Sequence, residues 1–318
     1  MNTKPRVLFV DDEPKILNSM RWLFNRDYEL YFANSGQEAI DAIRRNKFHV
    51  IVSDQRMPGI TGIEVLREAK KISPDTMRLL LTGYADLKAI VGSVNESEVF
   101  RFITKPWINE ELKMVVKLAA DTALHGPPVC QAAPQAVPVP AKSEILVIDE
   151  DPNVKHLLRQ ILKERYTLYA AETLDEALTL LDEHEIKVVV SETRVANTDI
   201  TTLIKLLKKH RPDIISVVLT EHSDAKTIID LINQGQVYRF LRKPVKPGQC
   251  RLSIQSAMIR NAQLRANPEL IQRYVVDDLD EEKILANAHK GDGSAAMDPG
   301  MFRRMLHHVI RLPRLFSN

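Results

Sequence analysis

The sequence predicts an α/β protein: two doubly wound, five-stranded parallel-sheet domains in tandem, followed by a partly helical tail. Three observations carry this expectation. Runs of four or five residues rich in Val, Ile, Leu and Phe alternate with amphipathic stretches, the form taken by strands buried on both faces of a parallel sheet. A set of segments recurs at one fixed spacing. A Pro- and Ala-rich stretch separates the two sets.

In the first set the strand candidates are Val7–Val10, Val50–Ser53, Arg78–Leu81 and Val99–Ile103. Between them lie helical patterns. Ile16, Met20, Leu23 and Phe24 mark the first, and Ala39, Ile40 and Ile43 mark another, opened by Ser35 as N-cap with Glu38 three residues on. Strand and helix alternating five times imply right-handed crossovers. In such a sheet the ligand site lies at the carboxyl ends of the strands.

The repeat is explicit. RVLFVDDEP (6–14) returns as EILVIDEDP (144–152), and FHVIVSDQR (48–56) as IKVVVSETR (186–194). LLLTG ending at Gly83 returns as VVLTE ending at Glu221, and VFRFITKPW (99–107) as VYRFLRKPV (237–245). The offset, Asp11 to Asp149 or Lys105 to Lys243, is 138 residues each time. A gap-free register means two copies of one fold.

The resulting division is 5–122 for the first domain, 123–143 for a linker, 144–260 for the second domain and 261–318 for the tail. The linker lacks apolar periodicity and should be semi-extended. After Pro247, Leu252, Ile254, Met258, Ile259 and Leu264 trace the last helix of the second copy, extended outward. The tail runs through an acidic stretch (Asp277 to Glu282) and a Gly/Ser/Ala segment (Gly291 to Ala296) into a basic segment from Met301. There, near 301–312, Phe302, Met305, Leu306, Val309 and Ile310 form an apolar stripe opposite Arg303, Arg304, His307, His308 and Arg311, stopped by Pro313. A basic amphipathic helix can dock on the protein's own domains, or make a weak contact with a partner groove or an anionic membrane.

Composition sets the outer bounds. With 44% apolar and 27% charged residues the chain is an ordinary globular one. No stretch approaches the roughly 18 uninterrupted apolar residues of a membrane span, and the first residues do not read as a secretory signal. Cys130 and Cys250 have no metal or redox spacing, so a reducing cytoplasm is the expected setting. A net charge of +2 gives no strong nucleic-acid signal. No helix-turn-helix or Gly-rich nucleotide loop is visible.

The chemistry sits where strands end. Asp11 and Asp12 follow the first strand, Asp54 the third, Thr82 closes the fourth and Lys105 the fifth. Several carboxylates in one pocket repel one another and suit a hard divalent cation with oxygen ligands, Mg²⁺ being the expected one. The set suits phosphoryl transfer to a carboxylate. Asp54 is the nucleophile, Lys105 pairs with a phosphate oxygen, Thr82 hydrogen-bonds another, and Gly83 leaves the mouth open.

With these residues in view, 5–122 resembles the receiver domain of two-component response regulators, a flavodoxin-like fold. VLFVDDEP, VIVSDQRMPGITGIEVL, LLLTGYAD and FRFITKPW match its motifs in order and spacing. The resemblance implies Mg²⁺ binding by Asp11, Asp12 and Asp54, phosphorylation of Asp54, switch residues Thr82 and Lys105, and an aromatic switch at Phe102. It also implies remodelling of one face of the domain on phosphorylation, a face the family uses for dimerisation, so a homodimer stays open. The first copy is similar to receivers attached to HD-GYP proteins, but no His-Asp motif follows to carry that activity. Arg56 and Tyr84, each two residues beyond a site residue, are expected to tune the lifetime of the acyl phosphate.

The second copy resembles a receiver but departs at the chemistry. Asp149, Glu150, Thr220 and Lys243 keep their places, while Glu192 stands at the acceptor position, Glu221 adds charge at the mouth, and Met-Pro-Gly becomes Val195, Ala196, Asn197. It reads as a pseudo-receiver. Either Glu192 mimics a phosphorylated aspartate by pairing with Lys243, or the fold persists as a docking surface.

The function expected from all this is a phosphorelay response regulator. Asp54 takes a phosphoryl group from a histidine kinase or phosphotransfer protein, and the signal passes to an unidentified downstream protein through altered contacts. No catalytic or DNA-binding output is recognised; the only enzymatic character expected is self-phosphorylation and autodephosphorylation. The alternative is a phosphorylation-independent scaffold.

Overall fold

The computed structural model describes residues 4–83, 98–125, 140, 142–221, 225–233, 237–268, 270–271 and 299–311. Contacts divide the chain into two compact units, Met1–Gln131 and Ala132–Asn318, each taken by itself below.

In the first unit the order is β1 (Arg6–Val10), α1 (Pro14–Phe24), β2 (Glu29–Ala33), α2 (Gly36–Arg45), β3 (Val50–Asp54), α3 (Gly62–Ile72), β4 (Met77–Thr82), β5 (Arg101–Thr104) and α4 (Asn109–His125). The five strands form one sheet in the order β2-β1-β3-β4-β5, and every pairing is parallel. Val7 to Val10 and Val50 to Val52 are all almost fully buried, because helices cover both faces of the sheet. On one face Phe9 stacks on Phe24 of α1 at 5.2 Å between ring centroids, beside Leu112 and Val116 of α4.

The Ser35 cap forms: its side chain accepts from the Glu38 amide at 3.2 Å. Glu38 reaches back to the amide of Asn34 at 2.7 Å. Ser35→Ala is expected to lower the stability of this unit by about 1 kcal/mol, read as a lower urea midpoint. An unmoved midpoint would show the cap to be idle. The last strand begins at Arg101, later than the apolar run from Val99, although the Phe100 amide already donates to the Arg78 carbonyl at 2.8 Å. Helix α4 continues past the expected boundary at Thr122 to His125. Most of the linker lies outside the described residues, and its semi-extended form with it.

The second unit follows with β6 (Ser143–Ile148), α5 (Pro152–Leu162), β7 (Tyr166–Ala171), α6 (Leu174–Glu183), β8 (Ile186–Ser191), β9 (Arg194–Val195), β10 (Thr198–Asp199), α7 (Thr201–His210), β11 (Ile215–Thr220), α8 (Ala225–Asn233), β12 (Arg239–Arg242), α9 (Pro247–Ala266) and α10 (Pro299–Arg311). The main sheet, β7-β6-β8-β11-β12, repeats the first order in parallel. One piece is new. Ala196 (φ 47°) and Asn197 (φ 60°) make a two-residue turn between β9 and β10, an antiparallel hairpin where the first copy has Met57, Pro58 and Gly59. Two successive left-handed residues are what the tight hairpin turn demands.

One helix expectation needs correction and another is narrowed. In α9 the buried face runs through Cys250, Ile254, Met258 and Leu264, whereas Leu252 and Ile259 are 65% and 42% exposed. Asn261 belongs to that buried face, donating to the Asp213 carbonyl at 2.9 Å. Of the α10 stripe, Phe302, Met305 and Val309 are at most 1% exposed while Ile310 is 43% exposed, and α10 packs on α6 and α7 of its own unit. The self-docking alternative is the one the fold realises. Burial pushes the Cys250 thiol up to about 12, which makes it inert; Cys130 lies outside the described residues. No described helix is long and apolar enough to cross a membrane.

Candidate functional site

The strand order 2-1-3-4-5 reverses direction between β1 and β3, and the crevice outside their carboxyl ends is where ligands bind in such sheets. Asp11 follows β1 and is 2% exposed; Asp54 ends β3 and is 4% exposed. Thr82 ends β4, buried, and Lys105 follows β5, its backbone amide donating to the Thr82 carbonyl at 2.9 Å. The ladder thus brings four of the expected residues to one rim.

Lys105 Nζ meets Asp54 Oδ1 at 2.5 Å and Asp11 Oδ2 at 3.4 Å. The other oxygen of Asp54 accepts from the Arg56 amide at 2.9 Å, and Asp11 Oδ1 accepts from the Glu13 amide at 2.8 Å. Burial raises the pKa of Asp11, against the Glu13 amide and the nearby Lys105 charge. Burial works to lower Lys105, but the hydrogen bond and charge of Asp54, with Asp11 behind them, carry it above the usual lysine value. Two buried carboxylates share one ammonium, so the rim keeps a net negative charge.

The remaining expectations divide. Asp12 is exposed. Thr82 directs its hydroxyl to the Gly83 carbonyl at 3.3 Å. Phe102 is 3% exposed, paired across the ladder with Leu80. Arg56 is exposed at the rim, while Tyr84 lies outside the described residues. No group of three His, Cys, Asp or Glu side chains among the described residues forms a ready metal cage. Mg²⁺ nevertheless takes only one or two carboxylates and keeps its waters. The buried, oxygen-only pair Asp11 and Asp54, short of positive charge, fits that habit.

In the second unit Lys243 Nζ lies 2.8 Å from Asp149 Oδ2 and 3.1 Å from Glu192 Oε2. Glu192 Oε1 accepts from the Thr193 amide at 2.8 Å and its hydroxyl at 3.0 Å. Both oxygens at the acceptor position are therefore engaged by the protein itself. Glu150 lines the same cavity as Glu192 and accepts from the Ala196 amide at 3.0 Å, tying down the hairpin. Thr220 is buried, its hydroxyl 3.5 Å from that of Thr193. Burial raises Asp149, against the Lys243 hydrogen bond and the Asp151 amide; Lys243 is lifted by Asp149 and Glu192 over its own burial. Glu221 and Arg194 stand at the mouth of an open cavity of about 400 Å³. Sequence reasoning missed Thr193; the 138-residue offset, which sets it opposite Gln55, was the signal available.

Comparison with known proteins identifies the family of both units. The family model for the response regulator receiver domain matches residues 7–117 and 145–255, more than half of the chain. The hydrogenase transcriptional regulatory protein HoxA of Cupriavidus necator is 35% identical over 115 residues, 36% of this chain and 24% of that protein. Sporulation initiation phosphotransferase F of Bacillus subtilis is 30% identical over 118 residues, 37% of this chain and 93% of that protein. Among solved structures, the signal receiver domain of an HD domain-containing protein from Pseudomonas fluorescens is 30% identical, covers 39% of this chain and 92% of its own, and gives a TM-score of 0.37. The chain spans about a quarter of the length of the first curated relatives it matches. It belongs to the response regulator receiver family and carries two receiver domains in tandem.

Proposed function

We propose that the first receiver accepts a phosphoryl group on Asp54 from a histidine kinase or phosphotransfer protein and passes the signal on through altered protein contacts. The observation that carries this reading is the Lys105 ammonium bridging the buried Asp54 and Asp11. An oxygen of Asp54 forms the new P–O bond as the P–N bond to the donor imidazole breaks, and the imidazole takes up a proton. Lys105, already charged and within reach, follows the transferred oxygens, and the Thr82 hydroxyl turns from Gly83 to donate to one of them. Asp11, Asp54 and Asp12 are the residues that would hold Mg²⁺, which when bound neutralises charge on the phosphoryl oxygens. Arg56, exposed at the rim, and Tyr84, two residues beyond Thr82 in the sequence, tune the lifetime of the acyl phosphate.

The second receiver is a pseudo-receiver in this reading. Glutamate carries its carboxylate one methylene farther out, and both of its oxygens have protein partners. That arrangement supports Glu192 as a standing substitute for a phosphorylated aspartate. It also favours a second reading, in which the chain is a scaffold whose contacts ignore phosphorylation.

The test is intact mass after incubation with Mg²⁺ and acetyl phosphate. One phosphoryl adduct is expected on the wild-type chain and on Glu192→Ala, and none on Asp54→Asn. An adduct that survives Asp54→Asn would refute the assignment. An adduct that leaves partner affinity unchanged would select the scaffold.

A further inference from the structure

The same pair of helices is assembled differently in the two units. In the first, α2 and α3 pack directly on each other. Two glycines seat them: Gly36 lets α2 approach the segment leading into α3, and Gly62 lets α3 rest on the end of β3. A Cβ on Gly36 would lie 2.6 Å from the Ile60 side chain and backbone, and one on Gly62 would lie 2.0 Å from the Asp54 carbonyl oxygen. At the 138-residue offset these positions are Leu174 and Ile200, 2% and 0% exposed. With those side chains present, α6 and α7 barely touch, and α10 lies against both.

We propose that the α6–α7 groove is a helix-binding site peculiar to the second receiver, and that α10 is its resident but displaceable plug. The occupant's chemistry is specified by the groove. The floor takes large apolar side chains at i, i+3 and i+7, here Phe302, Met305 and Val309. The α6 rim is acidic: Asp175 pairs with Arg304 at 3.4 Å, and Asp182 with His308. The groove therefore fits a basic amphipathic helix. In the sequence the plug follows α9 only after residues 267–298, and it packs chiefly on α6 and α7 rather than on the strands, so it can leave as one local unit while the sheet stays paired. The inference does not depend on phosphorylation of Asp54.

The experiment disables the plug in the full chain with Phe302→Asp and Met305→Asp, and uses a fluorescent synthetic peptide of residues 299–311 as probe. Anisotropy should show saturable binding to the disabled chain and at least ten-fold weaker binding to the wild-type chain, whose own helix competes. A peptide carrying Met305→Asp should not bind. Equal binding by the two chains overturns the proposal, as does no binding by a disabled chain with wild-type circular dichroism. Should the disabled chain not fold, hydrogen exchange on the wild-type chain decides. Amides of 302–310 are expected to exchange at least ten-fold faster than those of β6 and β8. Exchange of all of them at one rate would mean that α10 leaves only on global unfolding, and the proposal would fall.

Discussion

Gly62→Val is expected to cost the first receiver about 3 kcal/mol and to abolish phosphorylation of Asp54. In most helices a glycine replaced by a side chain gains stability, since glycine carries an entropic cost. Here the sign reverses. The first residue of α3 rests on the backbone of Asp54, and a Cβ would come 2.0 Å from its carbonyl oxygen and 2.8 Å from its carbonyl carbon. Neither is the end of a flexible side chain, so α3 must withdraw. Withdrawal breaks the bonds from the Gly62 amide to the Gln55 carbonyl (3.2 Å) and from the Ile63 amide to Gln55 Oε1 (3.1 Å). Both anchor the segment that follows the acceptor. Urea unfolding of the full chain and adduct formation measure the two effects. Undiminished stability would show that α3 can retreat at no cost.

The second large effect is expected at the second receiver. Lys243→Met should destabilise its unit by about 3–5 kcal/mol at pH 7, the range for removing one partner of a buried ion pair. The lysine side chain is 7% exposed, and it sits between Asp149, 2% exposed, and Glu192, 15% exposed. Without it two carboxylates face each other in a desolvated place. The pH dependence gives the mechanism away. Burial already raises Asp149, and Lys243 is the main force opposing that rise, so in the variant the carboxyl titrates higher still. A carboxyl with a raised folded pKa holds its proton more readily folded than unfolded. Its penalty is therefore full at neutral pH and relieved as pH falls through the raised value. The gap between variant and wild type should narrow from pH 7 to pH 5 in urea unfolding. A gap of constant size would mean that the lysine acts by packing.

The sheets and the rim that gathers Asp11, Asp54, Thr82 and Lys105 could be read from the sequence because their signals are local. Strands covered on both faces must be continuously apolar, so Val7–Val10 and Val50–Val52 announce themselves. Site residues fall at the ends of those same runs. The hairpin at Ala196 and Asn197 could not be read this way, since two-residue strands have no period to detect. For α10 the stripe showed that one face would be covered, and only tertiary structure could say by what. In α9 the apolar positions Leu252 and Ile259 lie outside the buried face that Cys250, Ile254 and Met258 define. The register of a long helix is set by its neighbours, and polar Asn261 can take an inward place once a carbonyl awaits it.

The exchange of two glycines for Leu174 and Ile200 has a consequence for how the duplicated halves can change. Leu174→Gly alone would open a void at the start of α6, and Ile200→Gly alone would do the same at the start of α7. Deleting α10 alone would bare the apolar surface it covers. The closed helix pair of the first half can be regained only if both side chains and the added helix go together. Each of the three changes is unfavourable by itself, so Leu174, Ile200 and α10 hold one another in place as a set.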